Sequence, residues 1–151
     1  MTDTLLDRLA RHPFLEGFDT AALGALASAS RLRSVAAGTL VAREDAPADH
    51  FYLIEAGHLA IETPRRGGAG VVLQTLGPGD AAGWSWLLED RWMFDLRAAD
   101  DAWLIEVDAR RVREIVDADP AFAERMLRRV LRMVTTRLQA TRLRLLDVYG
   151  P

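Results

Sequence analysis

Three histidines, a serine set between tryptophans and a crowd of arginines are the side chains of this sequence that could do chemistry. His12, His50 and His58 form no His-x-His pair, and His12 lies outside the strand-rich middle of the chain, so a cupin-like metal barrel lacks its ligands. Ser85 stands in Gly83-Trp84-Ser85-Trp86, not in the G-x-S-x-G of a nucleophile elbow, and no strand–turn–helix pattern surrounds it. Acidic pairs such as Glu89-Asp90 and Asp100-Asp101 read as solvated turns. The absence of cysteine excludes thiolate zinc, iron–sulfur, disulfide and thiol-nucleophile chemistry. No catalytic or metal-binding set emerges, and an enzyme is not expected.

What remains is binding. Trp84, Trp86 and Trp92 place three of the four tryptophans within a few residues of one another. Two readings stay open: they fill a pocket, or they form an aromatic box that stacks on a planar or apolar ligand.

The elements that must position these residues follow from periodicity. Residues 4–11 and 19–30 carry apolar positions at helical spacing, with His12-Pro13 breaking the first run and Asp19 placed to cap the second. From residue 31 the period shortens to apolar runs such as LRSV, TLVA, HFYLIEA, HLAIETP and VVLQTL, each bounded by turn residues, which predicts a sandwich or barrel. The glycine-rich stretch Arg65–Gly70 reads as a hairpin tip, since no helix follows it to make a phosphate cradle. AWLIEV at 102–107 is the last strand, and Asp108 caps a helix over 109–117 that ends before Asp119-Pro120.

A long helix without glycine or proline runs over 121–148. Along it Leu127, Leu131, Val134, Leu138, Thr141, Leu145 and Val148 alternate in spacings of four and three, a heptad seam with one polar member. The helix could pack on its own domain. Flanking arginines (Arg128, Arg129, Arg132, Arg137, Arg142, Arg144) leave only a narrow apolar stripe, and that favours a two-fold partner helix, hence a homodimer.

Composition bounds the rest. The 151 residues, half of them hydrophobic and 27% charged, suit one globular core. The net charge of −3 disfavours nucleic acid as the main partner. All 19 basic residues are arginine, either through codon bias or because the last helix carries a basic face. No apolar run spans a bilayer and charges punctuate residues 1–12, so neither a membrane anchor nor a signal peptide is expected, and a cytoplasmic location is.

Four strings, in order, carry a resemblance: HPFLEGF; AAGTLVAREDAPADHFYLIEAG with Gly38, Asp45 and Gly57; LGPGDAAG; and RLQATRLRLLDVYG. Together they resemble the cyclic-nucleotide-binding sensor domains of the Crp/Fnr family. The resemblance implies an α+β fold: an eight-stranded jelly-roll β-roll (31–107) after an N-terminal helical region (1–30), then C-terminal helices (108–150) ending in a dimer helix. It implies one domain over 1–151. It also implies a pocket for cyclic AMP or cyclic GMP, in which a Gly-Glu pair and a following arginine hold the ribose hydroxyl and the cyclic phosphate.

The chain departs from that pattern. Gly83 is kept, but the glutamate position is Trp84; counted back from Leu96-Arg97-Ala98, the arginine position is Trp92 and its polar neighbour Met93. Losing two such hydrogen bonds removes about 1.5–3 kcal/mol each, so nucleotide recognition is altered or lost. GWSWL followed by RW and FDLRA is similar to a pattern of small stand-alone relatives. Gly83–Trp86 could still offer backbone N–H groups as an anion nest, and Arg91 lies one position from the missing arginine. Thr141 matches the dimer-helix threonine that contacts the base, with Arg142 beside it in place of a serine. The expected pocket set is therefore Gly83, Trp84, Ser85, Trp86, Arg91, Trp92, Met93, Thr141 and Arg142, for a cyclic nucleotide or another small planar ligand. The chain ends at Pro151 as the helix ends, so DNA reading in the family's manner is not expected, and an effector protein is. The rival reading is a ligand-independent dimeric scaffold whose pocket is filled by tryptophan.

Overall fold

The structure is a computed structural model that describes residues 3–65, 68–88 and 91–150. Helix α1 (Leu5–Arg11) starts on a capping box, Thr4 and Asp7 each satisfying the other's backbone amide. It stops at Pro13, where the His12 ring accepts from the Phe14 amide and caps a short 3₁₀ turn. Helix α2 (Thr20–Ser28) begins where the Asp19 carboxylate accepts from the Ala22 amide.

Eight strands follow: β1 (Ser30–Val35), β2 (Leu40–Ala42), β3 (His50–Ala56), β4 (Leu59–Arg65), β5 (Gly68–Leu76), β6 (Ala81–Ala82), β7 (Asp95–Ala98) and β8 (Ala102–Asp108). They form two antiparallel four-stranded sheets, ordered β1-β8-β3-β6 and β2-β7-β4-β5. β6 is thus an edge of one sheet and β5 an edge of the other. The hairpin expected at 65–70 pairs Arg65 with Gly68 in register, and residues 66–67 lie outside the described residues.

The three positions singled out in the second string, Gly38, Asp45 and Gly57, all take left-handed backbone. At Gly57 a Cβ would lie 2.3 Å from the Asp101 carbonyl, so only glycine closes the β3–β4 corner.

Asp108 caps α3 (Ala109–Ala118), and Asp119 with Pro120 at the first helical position starts α4 (Pro120–Tyr149). The last helix turns Phe122, Met126, Val130 and Arg137 toward the roll, where all four are buried. The heptad positions point elsewhere: Leu131, Leu138 and Val148 are 66%, 60% and 76% exposed, while Val134 is half-buried against the core. Apart from Val134, the roll does not use this stripe. Among the described residues, no helix is long and apolar enough to cross a membrane.

Candidate functional site

Between β6 and β7 lies the tryptophan-rich stretch, here termed the cassette, in which Ser85–Leu87 form a three-residue 3₁₀ turn. Gly83 enters it at φ +105°, where a Cβ would come within 2.9 Å of the Trp92 ring. Glycine is required here twice over, by backbone conformation and by the close approach of an indole.

The three tryptophans build an aromatic body in two parts, Trp86 with Phe51 and Trp84 and Trp92 with Phe94 and Tyr52. Trp86, 2% exposed, stacks on Phe51 with ring centres 4.6 Å apart and planes 10° from parallel, and its indole N–H donates to the Gly83 carbonyl at 3.3 Å. Trp92, 4% exposed, lies 6.1 Å from Tyr52 and meets Phe94 edge-on at 5.8 Å. Trp84 tilts against Phe94 at 5.2 Å. Such contacts add about 0.5–1.5 kcal/mol per pair beyond area burial. Ser85 is buried among them.

The remaining expected pocket residues are not brought to this body. Met93 is exposed, because alternation along the chain turns Trp92 and Phe94 inward and their neighbour outward. Arg91 is a loop clamp: it donates to the Asp45 carbonyl at 2.7 Å while the Asp45 amide donates to the Trp92 carbonyl at 2.9 Å. The left-handed Asp45 turn thereby fastens the tryptophan segment to the β2–β3 loop. Thr141 is exposed and donates to the Arg137 carbonyl one turn back in its own helix. Arg142 is exposed and reaches Gln139.

Arg137 takes the place beside the cassette that Thr141 was expected to hold. Its guanidinium lies 5.3 Å from the Trp84 ring centre and donates to the Ala81 carbonyl. Burial pulls its pKa down to about 10, against a weaker opposing pull from Asp80. A cation over an indole face in a desolvated setting is favourable by about 2 kcal/mol. This contact joins the cassette directly to α4. A signal in the sequence could have found it: Phe122, Met126, Val130, Met133 and Arg137 form a second stripe at helical spacing beside the heptad seam.

A second polar centre was not anticipated. Glu106 on β8, only 3% exposed, accepts from Arg31 Nε at 2.6 Å and Arg33 Nη1 at 2.9 Å, with His50 Nε2 at 3.8 Å. Strand register sets Arg31 and Tyr52 directly opposite it. Burial pushes the Glu106 carboxyl upward, but the hydrogen bonds from Arg31 and Arg33 outweigh it and hold it below the ordinary value. Burial and the same carboxylate push the Tyr52 hydroxyl up to about 12. Near Tyr52 and Trp92 an open groove of about 370 Å³ is lined by Leu40, Ala42, Pro47 and His50. Among the described residues, no three histidine, aspartate or glutamate side chains converge as a metal site.

Solved structures share this arrangement. A cyclic nucleotide-binding protein from Geobacter metallireducens GS-15 superposes with a TM-score of 0.79 at 22% identity, covering 91% of this chain and 99% of that one. A cyclic nucleotide-binding domain from Methylobacillus flagellatus gives 0.77 at 16% identity, over 95% and 82% of the two chains. The sensor domain of the transcriptional regulator DNR from Pseudomonas aeruginosa gives 0.70 at 17% identity, over 87% and 89%. Among curated proteins no sequence matches this chain. The fold is the β-roll of cyclic nucleotide-binding domains that the four strings predicted, two sheets of four strands with helices at both ends. The family model for the cyclic nucleotide-binding domain matches residues 32–119, more than half of the chain, and the chain belongs to that family.

Proposed function

We propose that this chain is a regulatory, non-catalytic sensor forming one domain over 1–151. It reports a small molecule through α4 to an effector protein, with recognition of cyclic AMP and cyclic GMP altered by tryptophan substitution. The observation that carries this reading is the aromatic body itself. Trp84 and Trp92 occupy the positions that the family gives to glutamate and arginine, and both are packed against Phe94. The interior offers aromatic faces where the family offers a charge clamp, which suits a planar ligand stacking beside Tyr52 and Trp92 better than a cyclic phosphate.

Output runs through the Arg137–Trp84 contact. A ligand that displaces Trp84 alters the seat of α4, and it shifts the helix only as far as it binds one arrangement better than the other. The exposed stripe of Leu127, Leu131, Leu138, Leu145 and Val148 supports a homodimer through α4. A cytoplasmic setting fits a chain without cysteine, and the net charge of −3 favours a protein effector over DNA.

One observation favours the second reading, a ligand-independent scaffold. Trp86 and Trp92 are almost fully buried, as core residues are. Titration of the protein with cyclic AMP and cyclic GMP, followed by tryptophan fluorescence, tests recognition. Altered recognition predicts no saturable change at micromolar nucleotide; a saturable change there refutes it. A panel of planar heterocycles then separates sensor from scaffold, since a scaffold responds to none.

A further inference from the structure

The groove under α4 adds to Arg137 a set of polar side chains that the tryptophan contacts do not use. Strands β5 and β6, edges of different sheets, meet beneath this helix. A groove of about 220 Å³ opens there, lined by Gln74, Thr75 and Asp80 from the strand side and by Arg129, Arg132 and Arg137 from the helix. Arg137 is 8% exposed, yet its Nη1 is buried without a hydrogen-bond partner among the described residues. Such an orphaned donor is unfavourable, the more so on a cation.

The charges around it do not balance. Arg129 is tied to the Glu16 carbonyl, and Arg132 is exposed and forms no ion pair or hydrogen bond among the described residues. Asp80 is the carboxylate of the groove, and it already accepts from the Gly77 amide at 2.9 Å. Three guanidinium groups therefore face one carboxylate, and Gln74 and Thr75 add neutral donors. At roughly 30 Å³ per water-sized group, the space admits a handful of such groups.

We propose that this groove binds a small oxyanion, a phosphate- or carboxylate-bearing molecule held between Arg132 and Arg137. The site shares Arg137 with the Trp84 contact, but no tryptophan lines it. Because both arginines belong to α4 while the donors Gln74 and Thr75 belong to β5, a bound anion pins the helix to that sheet edge. Occupancy thus controls the same helix that carries the exposed apolar stripe.

Isothermal titration of the full chain with inorganic phosphate and, separately, with succinate tests this, with ionic strength held constant by sodium chloride so that screening is common to all runs. The expected result is saturable binding of one anion per chain for at least one probe, the two probes separating phosphate from carboxylate recognition. Arg132→Gln weakens it by about tenfold or more and Arg137→Met abolishes it, while Arg128→Gln, outside the groove, leaves it unchanged. Thermal melts confirm that each variant is folded; should Arg137→Met not fold, Arg132→Gln decides alone. Absence of saturable heat with both probes overturns the proposal. So does equal binding by wild type and Arg132→Gln, or equal weakening by Arg128→Gln.

Discussion

Replacing Arg137 by methionine separates stability from function at the contact between α4 and the cassette. Burial lowers the guanidinium pKa from 12.5 to about 10. At about 1.4 kcal/mol per pH unit, keeping the charge in place costs roughly 3 kcal/mol. Against this stand one hydrogen bond from a cation to the Ala81 carbonyl, about 1.5–3 kcal/mol, and one desolvated cation–π contact of about 2 kcal/mol. The two sides nearly cancel. Methionine keeps the apolar stem against Trp84 and removes the charge, so its effect on unfolding free energy is expected to lie within about 2 kcal/mol of zero. Alanine removes the stem as well and leaves a cavity beside the indole, so it is expected to destabilise by about 2 kcal/mol more than methionine. Urea unfolding of the three proteins, followed by circular dichroism, measures both differences, and the Trp84 emission reports the lost cation. A loss above about 3 kcal/mol for Arg137→Met with an unchanged m-value would refute the reasoning. It would make the guanidinium a net structural contributor.

Gly83→Ala is expected to destabilise by about 2–5 kcal/mol, through left-handed strain together with the 2.9 Å approach to Trp92, visible as a lowered urea midpoint. The double variant Leu131→Arg, Leu138→Arg breaks the exposed stripe, and light scattering should show monomer mass where wild type shows dimer; an unchanged mass sinks the seam. Acid should weaken the fold in two stages. Burial holds His12 below its ordinary 6.5, where its Nε2 donates to the Ile54 carbonyl while Nδ1 accepts from Phe14, so the unfolded chain takes up the proton first. Stability present above about 6.5 is then lost as pH falls toward the folded value. Glu106, held below 4.5 in the fold, adds stability that is present above 4.5 and lost as pH falls through its folded value. Melting temperatures from pH 7.5 to 3.5 measure both stages, and His12→Gln should remove the first alone; a profile flat through 6.5 in wild type would contradict the buried neutral ring.

Much of the fold was legible because its signals are local. Asp19, Asp108 and Asp119 cap helices within three residues of themselves, and His12-Pro13 stops α1 where it stands. Strand runs and their turns follow from period and from residues that accept left-handed backbone, such as Gly38 and Gly57. That Trp84 and Trp92 stand where the family resemblance implies a glutamate and an arginine was likewise readable from the sequence alone.

What only the tertiary structure decided is where the charges go. Arg91, one position from where the resemblance implies a phosphate-binding arginine, clamps the Asp45 loop 46 residues away, and Met93 turns outward. Glu106 gathers Arg31 from 75 residues upstream through strand register, which no spacing along the chain encodes. Arg137 read as a solvated flank of the heptad seam and is buried, because a helix can offer two stripes. The roll took the one led by Phe122, Met126 and Val130. Sequence periodicity names the faces a helix can bury; only the arrangement of its neighbours selects which one is covered.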